Sequence, residues 1–94
     1  PYKYITVRKG KKEITGIYPK DDLYIPVKVN GEEKMSFKDN LTSNVKAPVY
    51  ENHIAGQVEI YIDNTLIGKT DLVYRENIES SSIIYYIKKI LKNL

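Results

Sequence analysis

The sequence predicts a small all-β protein, an antiparallel β-sandwich over residues 1–79, followed by a C-terminal amphipathic α-helix over 80–94. Three observations predict it. Apolar and polar residues alternate up to about residue 75, turn signals recur every eight to twelve residues or so, and the period becomes helical from Ser80.

Tyr2, Tyr4 and Thr6 alternate with Lys3, Ile5 and Val7, an aromatic and β-branched strand that ends at the Lys9-Gly10-Lys11 turn. Ile14 to Tyr18 is a second short strand, closed by Pro19 and the polar Lys20-Asp21-Asp22. Leu23, Ile25, Val27 and Val29 then alternate with Tyr24, Pro26, Lys28 and Asn30. Pro26 has no N–H for a ladder, which places that strand at an edge or at a bulge. Asn30-Gly31 suits a type I′ hairpin, whose two central residues need positive φ, so roughly 23–29 pairs with 32–38. Residues 39–44 read as a loop, Ala47-Pro48-Val49-Tyr50 as extended chain and Glu51-Asn52 as a turn. Gly56 to Ile62 alternates cleanly, Asp63-Asn64 turns it, and Leu66 to Val73 returns as its partner. About seven such strands favour a sandwich over a barrel.

From Ser80 the signals are those of a helix: hydroxyls at Ser80-Ser81-Ser82 for an N-cap, Glu76 and Glu79 near the positive end, and no Gly or Pro before Leu94. On a helical wheel Ile83, Ile84, Ile87, Ile90, Leu91 and Leu94 fall within an arc of about 120°, and Lys88, Lys89 and Lys92 within about 100° on the other side. Tyr85 and Tyr86 flank the apolar arc, where an aromatic ring with a polar tip suits a headgroup boundary. Twelve helical residues reach about 18 Å, short of a hydrocarbon core of about 30 Å, so the segment can lie in a membrane surface but not span it. Six half-buried Ile and Leu side chains supply about 5–9 kcal/mol before the ordering cost, and each Lys about 1 kcal/mol more near anionic lipid. The alternative for the same stripe is packing onto the sheet or onto a second chain.

Charge and composition narrow the function classes. The chain has 94 residues, 15 Lys and Arg, 12 Asp and Glu, one His and no Cys. Residues 1–79 are electrically balanced, and the whole +3 resides in Lys88, Lys89 and Lys92. A nucleic-acid partner is therefore not expected, since that needs a basic face on the folded body. The absence of Cys excludes disulfides, Cys-type zinc sites and Cys–His chemistry. The start at Pro1, with no basic leader and no long apolar run, reads as a piece of something longer.

The run Lys46-Ala47-Pro48-Val49-Tyr50-Glu51-Asn52-His53-Ile54-Ala55-Gly56, its continuation to Asp63-Asn64, and Leu72-Val73-Tyr74 resemble the C-terminal domain of penicillin-binding protein 5-type D-alanyl-D-alanine carboxypeptidases. Ala47-Pro48-Val49, Gly56 and Leu72-Val73 match that family's pattern in order and spacing, and the family's Lys-Gly is read onto Asn52-His53, a departure at the tight turn. The resemblance implies a β-sandwich that follows a separate catalytic domain, and a terminal amphipathic helix on the outer face of the bacterial cytoplasmic membrane. It implies a parent serine-type peptidase of the cell wall that trims the peptidoglycan stem peptide. Its own catalytic domain, absent here, would be a partner.

The family's catalytic motifs belong to that other domain. Ser43-Asn44-Val45-Lys46 has the S-x-x-K spacing, but with five Ser and thirteen Lys such a match is expected about once by chance. Lys69-Thr70-Asp71 has Asp where the motif requires Gly. Both read as decoys, so no catalytic, cofactor-binding or metal residue and no cofactor is expected. His53, lacking a second His or a Cys, reads as a surface loop residue. Arg8-Lys9-Gly10-Lys11-Lys12 is a solvated turn with the chemistry to meet phosphate or an anionic wall polymer. The leading expectation is a non-catalytic domain that positions and tethers its enzyme at the membrane through residues 83–94. The rival is an interaction module that docks another cell-wall protein or a second copy, by the edge at 23–29 or the Ile face of the tail.

Overall fold

A computed structural model describes residues 1–22, 34–81 and 90–91. Six strands follow one another: β1 (Lys3–Arg8), β2 (Ile14–Pro19), β3 (Met35–Asp39), β4 (Asn44–Lys46), β5 (Ile54–Ile62) and β6 (Thr65–Tyr74). They form one sheet in the order β3-β5-β6-β2-β1-β4, curled so that both of its halves supply one core. Among the described residues the expected sandwich is thus realised as a single curled sheet. The link is β2, which pairs with β1 on one side and, through Ile17↔Tyr74 to Pro19↔Leu72, with β6 on the other.

The strands form where the alternation placed them. In β1, Ile5 and Val7 are buried while Tyr4, Thr6 and Arg8 face solvent. Val58 and Ile60 of β5 and Leu72 and Tyr74 of β6 face the same core, with Ile17 and Leu72 wholly buried. Each such aliphatic side chain contributes about 1.5–3 kcal/mol. Asp63 and Asn64 have φ of 48° and 69°, the two positive values that a type I′ hairpin between β5 and β6 demands. Irregularities at Ile54/Gly56 and Ile60/Tyr61 break the β5–β6 register, and such bulges bend a ladder and re-aim its side chains.

One expectation is corrected. Asn44, read as the end of a loop, opens the strand Asn44–Lys46, which runs parallel to β1 rather than antiparallel. With Val45 its only apolar residue, it has no alternation to detect, and its partner lies 38 positions earlier. Residues 35–39 pair with β5 along one side, from Met35↔Ile62 to Asp39↔Val58, and among the described residues they end the sheet. The expected strand at 23–29, its edge position and the Asn30-Gly31 turn lie outside the described residues.

The curl is fastened by side chains from β1 and β3, which have three strands between them in the ladder. The Tyr2 hydroxyl donates to Asp39 Oδ2 at 2.7 Å, Lys3 Nζ lies 2.8 Å from the same oxygen, and the Tyr2 and Phe37 rings meet edge-on at 6.3 Å. Hydrogen bonds from Lys3 and then Tyr2 hold the Asp39 carboxyl below the ordinary carboxylate range. Burial, reinforced by that anionic acceptor, pushes the Tyr2 hydroxyl up to about 12.

A depressed carboxylate stabilises the fold above its unfolded pKa and loses that contribution as pH falls through its folded value. The wild-type urea midpoint is therefore expected to fall once pH drops below about 4. Asp39→Asn should be less stable at pH 7 and show a shallower decline between pH 5 and pH 3. Parallel pH curves for the two proteins would remove Asp39 from the effect.

Candidate functional site

Three segments meet at one end of the sheet: the turn between β1 and β2, residues 47–53, and residues 75–81 after β6. Ile78 is the apolar residue in an otherwise polar stretch, and it is buried in the core, which draws 75–81 across the sheet end. Val49 and Ile78 exchange two backbone hydrogen bonds of 3.0 Å. The amide of Lys11 donates to Glu79 O at 3.0 Å, and that of Ser81 to Lys9 O at 2.8 Å, so Ser80 is bridged to Gly10. Lys9 turns with φ of 57°. Gly10 is required by close approach, because a Cβ there would lie 2.8 Å from Val7 Cγ1 and 2.9 Å from Lys12 O.

Ser80, expected to open a helix, is therefore buried and part of the sheet end. Glu76 and Glu79, expected near a helix terminus, bond to the turn between β1 and β2. Lys12 Nζ reaches both Glu76 oxygens at 3.0 and 3.1 Å, Thr15 Oγ1 donates to Glu76 Oε2 at 2.8 Å, and Lys11 lies 3.8 Å from Glu79. The bonds from Lys12 and then Thr15 hold the Glu76 carboxyl below its ordinary range.

The basic run thus divides. Lys11 and Lys12 have acidic partners, whereas Arg8 has its Nε on Asn44 Oδ1 at 3.0 Å and stands opposite Lys46 in the β1–β4 ladder. Lys46 is the member of this cluster that sequence reasoning missed, for no local signal joins positions 8 and 46. Beside the cluster, an open groove of about 410 Å³ is lined by Pro48, Val49, Tyr50 and residues 77–80.

The remaining candidates are placed as follows. His53 is exposed, with its ring 5.3 Å from that of Tyr50 and its backbone tied to Tyr50 and Tyr74. Lys46 ends β4 and Ser43 is a bend just before it, so no helix presents the two side chains on one face. Thr70 is buried and donates to the Asp71 carbonyl, so Lys69-Thr70-Asp71 is ordinary ladder. Among the described residues no group of three His, Asp or Glu side chains gathers, and no helix is long and apolar enough to cross a membrane. Of the membrane-contacting set, Ile83, Ile84, Tyr85, Tyr86, Ile87, Lys88, Lys89, Lys92 and Leu94 lie outside the described residues, and Ile90 and Leu91 are exposed. The expected helix over 80–94 likewise falls almost wholly outside them.

The fold and its sheet-end geometry define a small all-β domain. The chain belongs to the family described as penicillin-binding protein 5, C-terminal domain, whose match covers residues 1–80, and it is on that ground a non-catalytic domain of a penicillin-binding protein 5-type protein. It is similar in fold to penicillin binding protein 5 from Haemophilus influenzae, with a TM-score of 0.63 and 20% identity over 83% of this chain. The chain spans 23% of the length of that structure's chain. Among curated proteins no sequence matches it. The expected departure at Asn52-His53 falls where the chain turns before β5. There Asn52 has φ of 68°, the left-handed conformation that glycine favours and asparagine tolerates.

Proposed function

We propose that this domain positions and tethers the catalytic domain of a serine-type D-Ala-D-Ala carboxypeptidase at the outer face of the bacterial cytoplasmic membrane. The parent enzyme would hydrolyse the terminal D-alanine of the peptidoglycan stem peptide through an acyl-enzyme, and none of that chemistry resides in this chain. The observation that carries the reading is the position of the amphipathic segment: the family match ends at residue 80, and the Ile/Leu and Lys stripes begin at Ile83. The sheet end supports it, because Ser80 and Ser81 are fixed by Gly10 and Lys9, so a pull on the tail is borne by the folded body.

Flotation with liposomes tests the tether. The full chain is expected to float with anionic vesicles, and a chain ending at Ser80 to float at least tenfold less, since each lost Lys alone is worth about 1 kcal/mol. Equal flotation would take the tail out of the tether. A second reading, a docking module for another cell-wall protein, is favoured by the exposure of Met35, Phe37, Leu66 and Ile67. It takes over if neither chain floats and the full chain self-associates as its concentration rises.

A further inference from the structure

Resting on that membrane reading, we infer that the folded body itself meets the bilayer: Arg8, Lys9 and Lys46 form a cationic site for the phosphates of anionic phospholipid headgroups, at the root of the tail. The β1–β4 register sets Arg8 opposite Lys46. Their neighbours Val7 and Val45 are the inward pair of that ladder, so both cations point outward and are exposed. Adjacent strands lie about 4.8 Å apart, and like charges set opposite one another weaken a sheet. The fold thus maintains a repulsive pair. Lys3, Lys11 and Lys12 each have a carboxylate at ion-pair distance, whereas among the described residues Arg8, Lys9 and Lys46 have none.

The geometry suits phosphate in particular. Asn44 holds Arg8 by Nε, and among the described residues nothing bonds its two terminal nitrogens, which can then grip two oxygens of one phosphate. Lys9 is the residue whose carbonyl holds the Ser81 amide and hydroxyl, so the turn that follows Arg8 lies at the point where the chain leaves the sheet. Tyr4 and Ile14, 68% and 54% exposed, stand on the same outward face of β1 and β2. Cations beside an exposed aromatic ring and an aliphatic side chain match the mixed chemistry of a headgroup boundary, which a soluble polyanion does not offer.

The test uses the full chain with phosphatidylcholine vesicles, with and without phosphatidylglycerol. Each cation removed is expected to weaken binding to the anionic vesicles about fivefold, and Arg8→Gln with Lys46→Gln about twenty- to thirtyfold. Lys20→Gln with Lys34→Gln, which follow β2 and precede β3 at the other end of the sheet, should cost less than about twofold. Lys46→Gln also relieves the repulsion, so the lipid-free chain should melt about 1–4 °C higher while its vesicle binding falls, a pair of signs that misfolding cannot produce. Wild-type binding with no loss in the Arg8/Lys46 variant overturns this site and leaves the tail tether standing. No binding by the wild type overturns both. A variant that loses soluble inorganic polyphosphate but keeps the vesicles would assign the site to a polymer instead of a lipid.

Discussion

Ile17→Ala is expected to lower the stability of the domain by about 2–5 kcal/mol. Ile17 is wholly buried, and it sits on the one strand that joins the two halves of the sheet, opposite Lys3 on β1 and Tyr74 on β6. Truncation removes three carbons from a site walled by backbone on both sides, so the surroundings can collapse only in part and the cavity adds to the lost burial. In a domain of this size each kcal/mol moves the melting temperature by about 4–8 °C, so a fall of roughly 10–30 °C should appear in a circular-dichroism melt. Ile17→Val, which removes one methyl, should cost about 0.5–1.5 kcal/mol. An alanine variant that melts within a few degrees of wild type would mean that β2 is not the keystone of the curl.

Gly10→Ala carries the second large effect, about 1–3 kcal/mol, and its cause is overpacking rather than loss. The added methyl would stand 2.8 Å from Val7 Cγ1, 2.9 Å from the Lys12 carbonyl oxygen and 3.0 Å from Ile78 Cγ2. Two of these belong to the core and one is backbone, so no flexible side chain can yield. Relief comes by moving residues 78–81 off the turn, which opens the Gly10–Ser80 bridge. Amide exchange reads this locally: Ser81, which donates to Lys9, and Lys11, which donates to Glu79, should lose protection well before Leu72 in the centre of β6. Uniform acceleration across the chain would show that Gly10 matters to the fold as a whole and not to the seat of the tail.

What the residues announced locally is what local physics controls. The alternation in β1 and β5 was legible because each of those strands has one drier face, and Asp63-Asn64 because few other residues accept two positive φ values in succession. The Lys9-Gly10-Lys11 turn was legible too, although its reason was not: the glycine answers to Val7, Lys12 and Ile78, the last of them 68 positions away. Glu76, Glu79 and Ser80 have distant partners that no local rule announces. They suit a helix start locally, and they are also engaged by Lys12, Thr15, Lys11 and Gly10, more than sixty positions earlier.

By itself the sequence determined the all-β class, the hairpin of β5 and β6, the neutrality of the first 79 residues and the amphipathic stripe that begins at Ile83, because each depends on neighbours within a few positions. Only the tertiary structure decided that the strands form one curled sheet, that β4 lies parallel to β1, and that Arg8 stands beside Lys46. Those are pairings across tens of residues. A strand's outward face is chosen by its own pattern, but its partner is chosen by which edges the curling of the whole sheet brings together.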